Sequence, residues 1–312
     1  MSNTIVELGN KLEIAYEKFN FTEETKLLCR ESAHQISKNL TTSRDIKKQT
    51  EFLKLSLTDR TEFLRFLAVT CEVADIFSIM NKEGLERGVY DDNYQKIHNF
   101  SVGLFDEIKL NDHRPIPKDK FQYFRQIVRC SLVSINEDYR IENFSDCIEK
   151  IQLLIQFVEE KLIISDFECL ETLARLNYYL GKNQRKRGHT KQAEISYKQA
   201  LVCLNEFAQY IRQGLALSLD PASSSDNERE RYARRIQATC SKCAIVEVSR
   251  AWLFFDKGEY VAAEHSALAS LTLLVGTEHL IIKNHALLVL GTIKRVNSTN
   301  FEEMEKSRSI FY

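Results

Sequence analysis

Residues 174–207 read ARLNYYLGKNQRKRGHTKQAEISYKQALVCLNEF, and this stretch decides the fold. Two helix-length segments meet at Gly188, a residue that can take the backbone geometry of a tight turn. A second stretch of the same kind covers 244–277, AIVEVSRAWLFFDKGEYVAAEHSALASLTLLVGT. A weaker one spans roughly 128–161, where ENFSDCIEKIQLLIQF (142–157) reads as the second helix of a pair. A fourth begins near Asn284 with NHALLVLGTIKRVNSTNFEEMEKSRSIFY. The helical pattern is therefore repetitive over the second half of the chain.

Composition agrees with long helices. The chain has 312 residues, yet only 3 prolines and 10 glycines to interrupt them. Apolar residues make up 44%, enough for a sizeable core. A formal net charge of −1 gives no global electrostatic case for nucleic acid or an anionic membrane. No run approaches the length and apolarity of a membrane span, and MSNTIVELGN lacks the features of a secretory signal. The eight cysteines (Cys29, Cys71, Cys130, Cys147, Cys169, Cys203, Cys240 and Cys243) lie in helix-like apolar stretches. They read as reduced, mostly buried thiols of a cytoplasmic or nuclear protein.

Residues 1–110 form an irregular helical N-terminal region without a clear repeat. VELGNKLEIAYEKF (6–19) offers an apolar stripe through Leu8, Leu12, Ile14, Ala15 and Phe19. Thr22, followed by Glu23 and Glu24, predicts an N-cap with acids in the first turn. Ser43 and Asp59 mark further starts, TEFLRFLAVTCEVADIFSIM (61–80) predicts a buried helix, and another is entered at about Asp91. NDHRPIPKD (111–119) is the best boundary between this region and a repeat region over 120–312. SLDPASSSDNE (218–228) marks a second loop.

Residues 174–207 and 244–277 resemble the tetratricopeptide repeat, a 34-residue helix–turn–helix that stacks into a superhelix. The matching positions are Leu180-Gly181, Gly188, Ala193, Tyr197 and Ala200-Leu201 in the first, and Ala251, Gly258, Tyr260, Ala263 and Leu271 in the second. In the last unit Leu290-Gly291 match, Ser298 takes the place of the turn glycine, and Met304 is displaced by one residue. Asn177, Gln184 and Arg250 stand where the family has apolar residues, and Ala267 where an aromatic is common. About 70 residues separate Gly181 from Ala251, so an elongated helix pair and a loop are expected as an insertion at 208–243. The resemblance implies an all-α fold, with antiparallel helix pairs wound into a right-handed superhelical solenoid.

No motif for chemistry stands out. Cys240-Ser241-Lys242-Cys243 is the sole CxxC, without the further ligands a zinc site needs. His34, His98, His113, His189, His265, His279 and His285 form no HExxH. Phosphate-cradling glycine loops and a GxSxG elbow are missing, and the acid pairs at 91–92 and 302–303 read as solvated faces. Ser223, Ser224 and Ser225, followed by Asp226 and Glu228, read as a flexible polar loop or an acid-directed phosphorylation site. The chain is thus read as non-catalytic, with no cofactor and no metal.

The repeat resemblance implies function instead: a scaffold or adaptor that binds another protein. In this family the first helix of each pair lines a concave groove. Here that face would carry Arg175, Tyr178, Lys182, Arg185 and Lys186, continuing across Trp252 and Phe255. A basic face with aromatics suits a partner protein or peptide with an acidic segment. The alternative is a regulatory or substrate-docking region of a larger protein, as in separase-like and CHAT-type proteases or signalling ATPases. That alternative rests on the chain stopping at EKSRSIFY, inside the second helix of its last unit.

Overall fold

The computed structural model describes residues 3–18, 22–80, 91–111, 115–140, 142–162, 167–218, 226–275 and 279–298. Every regular element among them is helical: twelve α-helices and two short 3₁₀ turns. Phe19, His113, Ser223 to Ser225 and residues 299–312, with Glu302, Glu303 and Met304, lie outside the described residues. The chain divides into two compact units, Met1–Thr172 and Leu173–Tyr312. The prolines of 111–119 therefore join two helices of one unit, because the helices on either side of that loop pack on each other.

In the first unit, α1 (Asn3–Glu17) packs on α2 (Glu23–Ser37) and on α4 (Leu57–Met80). The Thr22 cap is as expected: its hydroxyl accepts from the Thr25 amide at 3.4 Å. The stripe expected on α1 is shifted. Ile5, Gly9, Leu12 and Tyr16 are buried, whereas Ile14 is exposed, because the ring of Phe66 lies against the bare Cα of Gly9. The start near Asp59 also moves. Ser56 is the cap, its hydroxyl accepting from the Asp59 amide at 3.1 Å, and Asp59 is the acid three residues inside.

The segment expected to start at Ser43 is a loop and a 3₁₀ turn (Ile46–Lys48), followed by the short α3 (Thr50–Lys54). Fully buried Gln49 pins this loop through Thr41 and Ser43, and Asn99 on α5 (Asp91–Asn111) donates to the Thr42 carbonyl. Phe52, Phe63 and Phe100 form the aromatic centre of the unit, with ring centroids 5.1–6.3 Å apart. α6 (Phe121–Arg140) packs on α4, α5 and α7 (Phe144–Lys161). The α6–α7 hairpin is the weak unit expected at 128–161. Phe124 meets Phe157 and Cys147 donates to the Ile135 carbonyl, an antiparallel pairing.

α8 (Cys169–Lys186) leads into the second unit. There α9 (Thr190–Ser218) and α10 (Asp226–Asp256) run antiparallel, and α11 (Tyr260–Leu273) packs on α10 and on α12 (Leu280–Asn297). The insertion expected at 208–243 takes the form of an elongated pair among the described residues: α9 and α10 are each overlong, 29 and 31 residues. Their added lengths pair with each other, Tyr232 lying against Gly214 and the Arg235 guanidinium 5.3 Å from the ring of Phe207.

The two turns of this unit are replicas 70 residues apart. Gly188 has φ +77° and Gly258 φ +76°. The Gly188 amide donates to the Arg185 carbonyl and the His189 amide to that of Gln184. Gly258 donates to Phe255 and Glu259 to Phe254 in the same way. Both are Schellman turns, in which a left-handed residue lets the last carbonyls of a helix find donors. Ser298, the expected third turn position, is extended instead (φ −72°, ψ 127°), since a non-glycine residue pays for left-handed geometry.

Candidate partner-binding surface

α8 is amphipathic. Its buried stripe (Leu173, Leu176, Asn177, Leu180, Gln184) holds the core, and Arg175, Tyr178, Lys182 and Arg185 follow one another on its half-buried margin. The two polar departures from apolar repeat positions are satisfied locally. Asn177 donates to the Leu173 carbonyl at 3.0 Å, and Gln184 accepts from the Ser196 hydroxyl of α9 at 2.8 Å. The third, Arg250, is half-buried, donates to both Glu247 oxygens and stacks 5.5 Å from Phe254. Close packing sets the rest. Tyr197 is buried against Gly181, while Ala193, Ala200, Ala251, Ala263 and Ala267 are fully buried at the helix crossings.

The expected site residues fall into two groups. On α8, Tyr178 stands edge-on to Tyr179 (5.4 Å) and 6.1 Å from Tyr197, and the Lys182 ammonium lies 5.9 Å from the Tyr179 ring. On α10, Trp252 and Phe255 are in edge-to-face contact at 5.8 Å, and Phe255 meets Tyr260 of α11 at 5.5 Å. Lys186 is exposed at the end of α8.

Neither Trp252 nor Phe255 stands bare. Both are half-buried, packed on the cluster of Ala251, Phe254, Ala263, Ala267, Val289 and Ile293. The cause is α11 and α12, which fold back over this side of α10.

One contact links the groups. The Arg185 Nε donates to Asp256 Oδ2 at 2.7 Å, tying the end of α8 to the end of α10, one residue beyond Phe255. Lys257 repeats the link one residue on, bonding Glu194 of α9 at 2.9 Å and Glu259 at 2.8 Å. Hydrogen bonds to Glu259 and Glu194 hold its ammonium above the usual lysine range. Asp256, Lys257 and Glu194 are thus members of this surface that residue patterns did not single out. Of these, Asp256 carried a signal in the sequence, a charge reversal, since it stands 70 residues after Lys186.

All eight cysteines are thiols rather than disulfides, and all but Cys240 are buried. Burial pushes the Cys243 thiol up to about 12, and the neighbouring Cys240 adds to the effect, so it stays protonated at neutral pH. Among the described residues no group of three His, Cys, Asp or Glu side chains is placed to hold a metal ion, and no helix is long and apolar enough to cross a membrane. No family model, curated protein or solved structure matches the chain.

Proposed function

We propose that this chain is a tetratricopeptide-like interaction module that binds a segment of another protein along the first-helix face of its second unit. The observation that carries the reading is the 70-residue equivalence. Gly188 and Gly258 share φ and hydrogen bonds, and small residues recur at Gly181 and Ala251 and at Ala193 and Ala263. Such duplication is the signature of a repeat architecture whose faces serve binding rather than chemistry. A superhelical path and an adaptor role follow from the same reading. Eight thiols, seven of them buried, support a reducing compartment, cytoplasm or nucleus.

The bound segment lies against Tyr178 and Lys182 and the open edges of Trp252 and Phe255, with an acidic side chain near Lys182 and Lys186. Arg185 serves the site indirectly, because Asp256 already occupies it. Affinity purification of the full chain followed by mass spectrometry identifies the partner. Lys182→Glu combined with Lys186→Glu leaves the Arg185–Asp256 pair intact and is expected to abolish recovery of that partner at an unchanged melting temperature. Trp252→Ala is expected to weaken recovery as well. Undiminished recovery with both variants overturns the groove assignment.

A further inference from the structure

A basic cluster runs from the end of α8 through the turn onto α9, and the groove uses only its Lys186. Arg185 is taken by Asp256, but its neighbours are not so engaged. Among the described residues Lys186, Arg187, Lys191 and Lys198 make no ion pair, and all four are exposed. The acids around them are spoken for: Asp256 by Arg185, and Glu194 and Glu259 by Lys257. The corner therefore carries a local positive excess although the chain as a whole is near neutral.

Amid these cations α9 exposes apolar surface. Ile195 is 68% exposed and Val202 39%, two turns apart on the face opposite the buried Ala193, Tyr197, Ala200 and Leu204. Lys191 and Lys198 bracket Ile195 one turn before and after, and Lys198 also precedes Val202 by one turn. Further along α9 the same face carries Glu206, then Gln209 and Gln213, all exposed, so its basic character ends at Val202. An aliphatic ridge between lysines is chemically specific. Nucleic acid would be served by cations with stacking aromatics, whereas Ile195 and Val202 offer aliphatic knobs. A helix that presents leucine-like residues every seventh position and carboxylates beside them matches both features.

We propose that the outer face of α9, over Lys191–Val202 together with Arg187, docks an acidic amphipathic helix of a partner protein. This surface is separate from the groove of α8 and α10, and its ligand has opposite charge and matching apolar spacing. Binding at it weakens with salt, because its charges are exposed.

The test uses the full chain and a fluorescein-labelled helical peptide of about 20 residues, long enough to hold a helix on docking. The peptide carries leucine at every seventh position with glutamates flanking it, and binding is read by fluorescence anisotropy. Its counterpart has lysine for every glutamate. The acidic peptide is expected to bind and the lysine peptide not to. Lys191→Glu with Lys198→Glu should weaken the acidic peptide at least about tenfold at an unchanged melting temperature, an effect of the size buried-free charge reversals reach at interfaces. Ile195→Ser should weaken it too, and Trp252→Ala should not. Equal binding of both peptides overturns the proposal. So does equal binding of a glutamate peptide in which serine replaces every leucine, which would make the corner a generic polyanion site. Loss of binding in Trp252→Ala with retention in the α9 variants would also overturn it, placing the peptide in the groove. Finally, preferential binding of a single-stranded oligonucleotide or of phosphatidylserine vesicles, lost in the charge-reversed variant, would show that the corner serves a different ligand.

Discussion

The ring of Tyr197 lies where a side chain of residue 181 would have to be. A β-carbon at Gly181 would stand 2.8 Å from Tyr197 Cδ1 and Cε1 and 3.1 Å from the Ala193 carbonyl oxygen. Tyr197 is buried and cannot swing away. Ala193→Leu at the same crossing is therefore expected to cost about 1–3 kcal/mol through overpacking. Gly181→Ala should be destabilising as well, despite the higher helix propensity of alanine. Chemical denaturation of each variant checks this, and an unchanged midpoint for Ala193→Leu would mean the crossing is wrongly placed.

Gly188→Ala and Gly258→Ala probe the turns alone. Nothing lies within 4 Å of a β-carbon at either position, so only the left-handed backbone resists substitution. Each change is expected to cost about 1–2 kcal/mol, and the two costs should be similar because the two turns are alike. Asparagine at either site should cost less than alanine. Thermal melts of the four variants compare these expectations directly.

Gly103 tests the first unit. A β-carbon there would meet the Arg44 carbonyl oxygen at 2.0 Å, and that atom belongs to backbone held by Gln49 and Asn99. Gly103→Ala should displace the 41–49 loop, at a cost of about 1–3 kcal/mol from strain. Gln49→Ala should cost a similar amount, about 1–3 kcal/mol, by emptying a fully buried side-chain site and leaving part-buried backbone groups of Thr41 and Ser43 without their partner. Hydrogen exchange at residues 41–49 should accelerate in both variants.

Glu107 makes the stability of the first unit depend on pH. Burial raises its carboxyl above the usual range, against the opposing pull of Arg60 and Lys120, and its Oε2 has no hydrogen-bond partner. As pH rises from the ordinary carboxylate value toward the raised one, the unfolded chain loses its proton first. Folding stability contributed by this group therefore falls with rising pH across that window. Glu107→Gln should flatten this part of the profile and stabilise the protein at neutral pH, as melts across the acidic range would show.

The Arg185–Asp256 pair is expected to position rather than stabilise. Both side chains keep contact with water, 26% and 45% exposed. A double-mutant cycle with Arg185→Ala and Asp256→Ala should give a coupling of about 0.2–1 kcal/mol, shrinking further at high salt.

Several elements were legible because their causes are local. Thr22 and the two acids after it announce a helix start, and the apolar run at 61–80 announces a buried helix. Gly188 and Gly258 announce turns, since few other residues take a positive φ without cost. Other features were illegible because their causes are distant. Ile14 reads as part of an apolar stripe, but a ring from α4 reaches Gly9 and rotates the buried face of α1. Ser56 and Asp59 share the signals of a helix start, and only the backbone tells which is the cap. At the candidate site, Arg185 reads as a free cation until Asp256, 71 residues away, is brought beside it.

By itself the sequence determined the helical class, the pairing of 174–207 and 244–277 about glycine turns, and the small residues at their crossings. Those follow from backbone sterics and from periodicity, which operate within a few residues. Only the tertiary structure decided that Trp252 and Phe255 are half covered by α11 and α12, and which cations keep their charge unpaired. Those depend on which surfaces meet after the chain has closed on itself, and the burial or neutralisation of a side chain is a property of its neighbours in space.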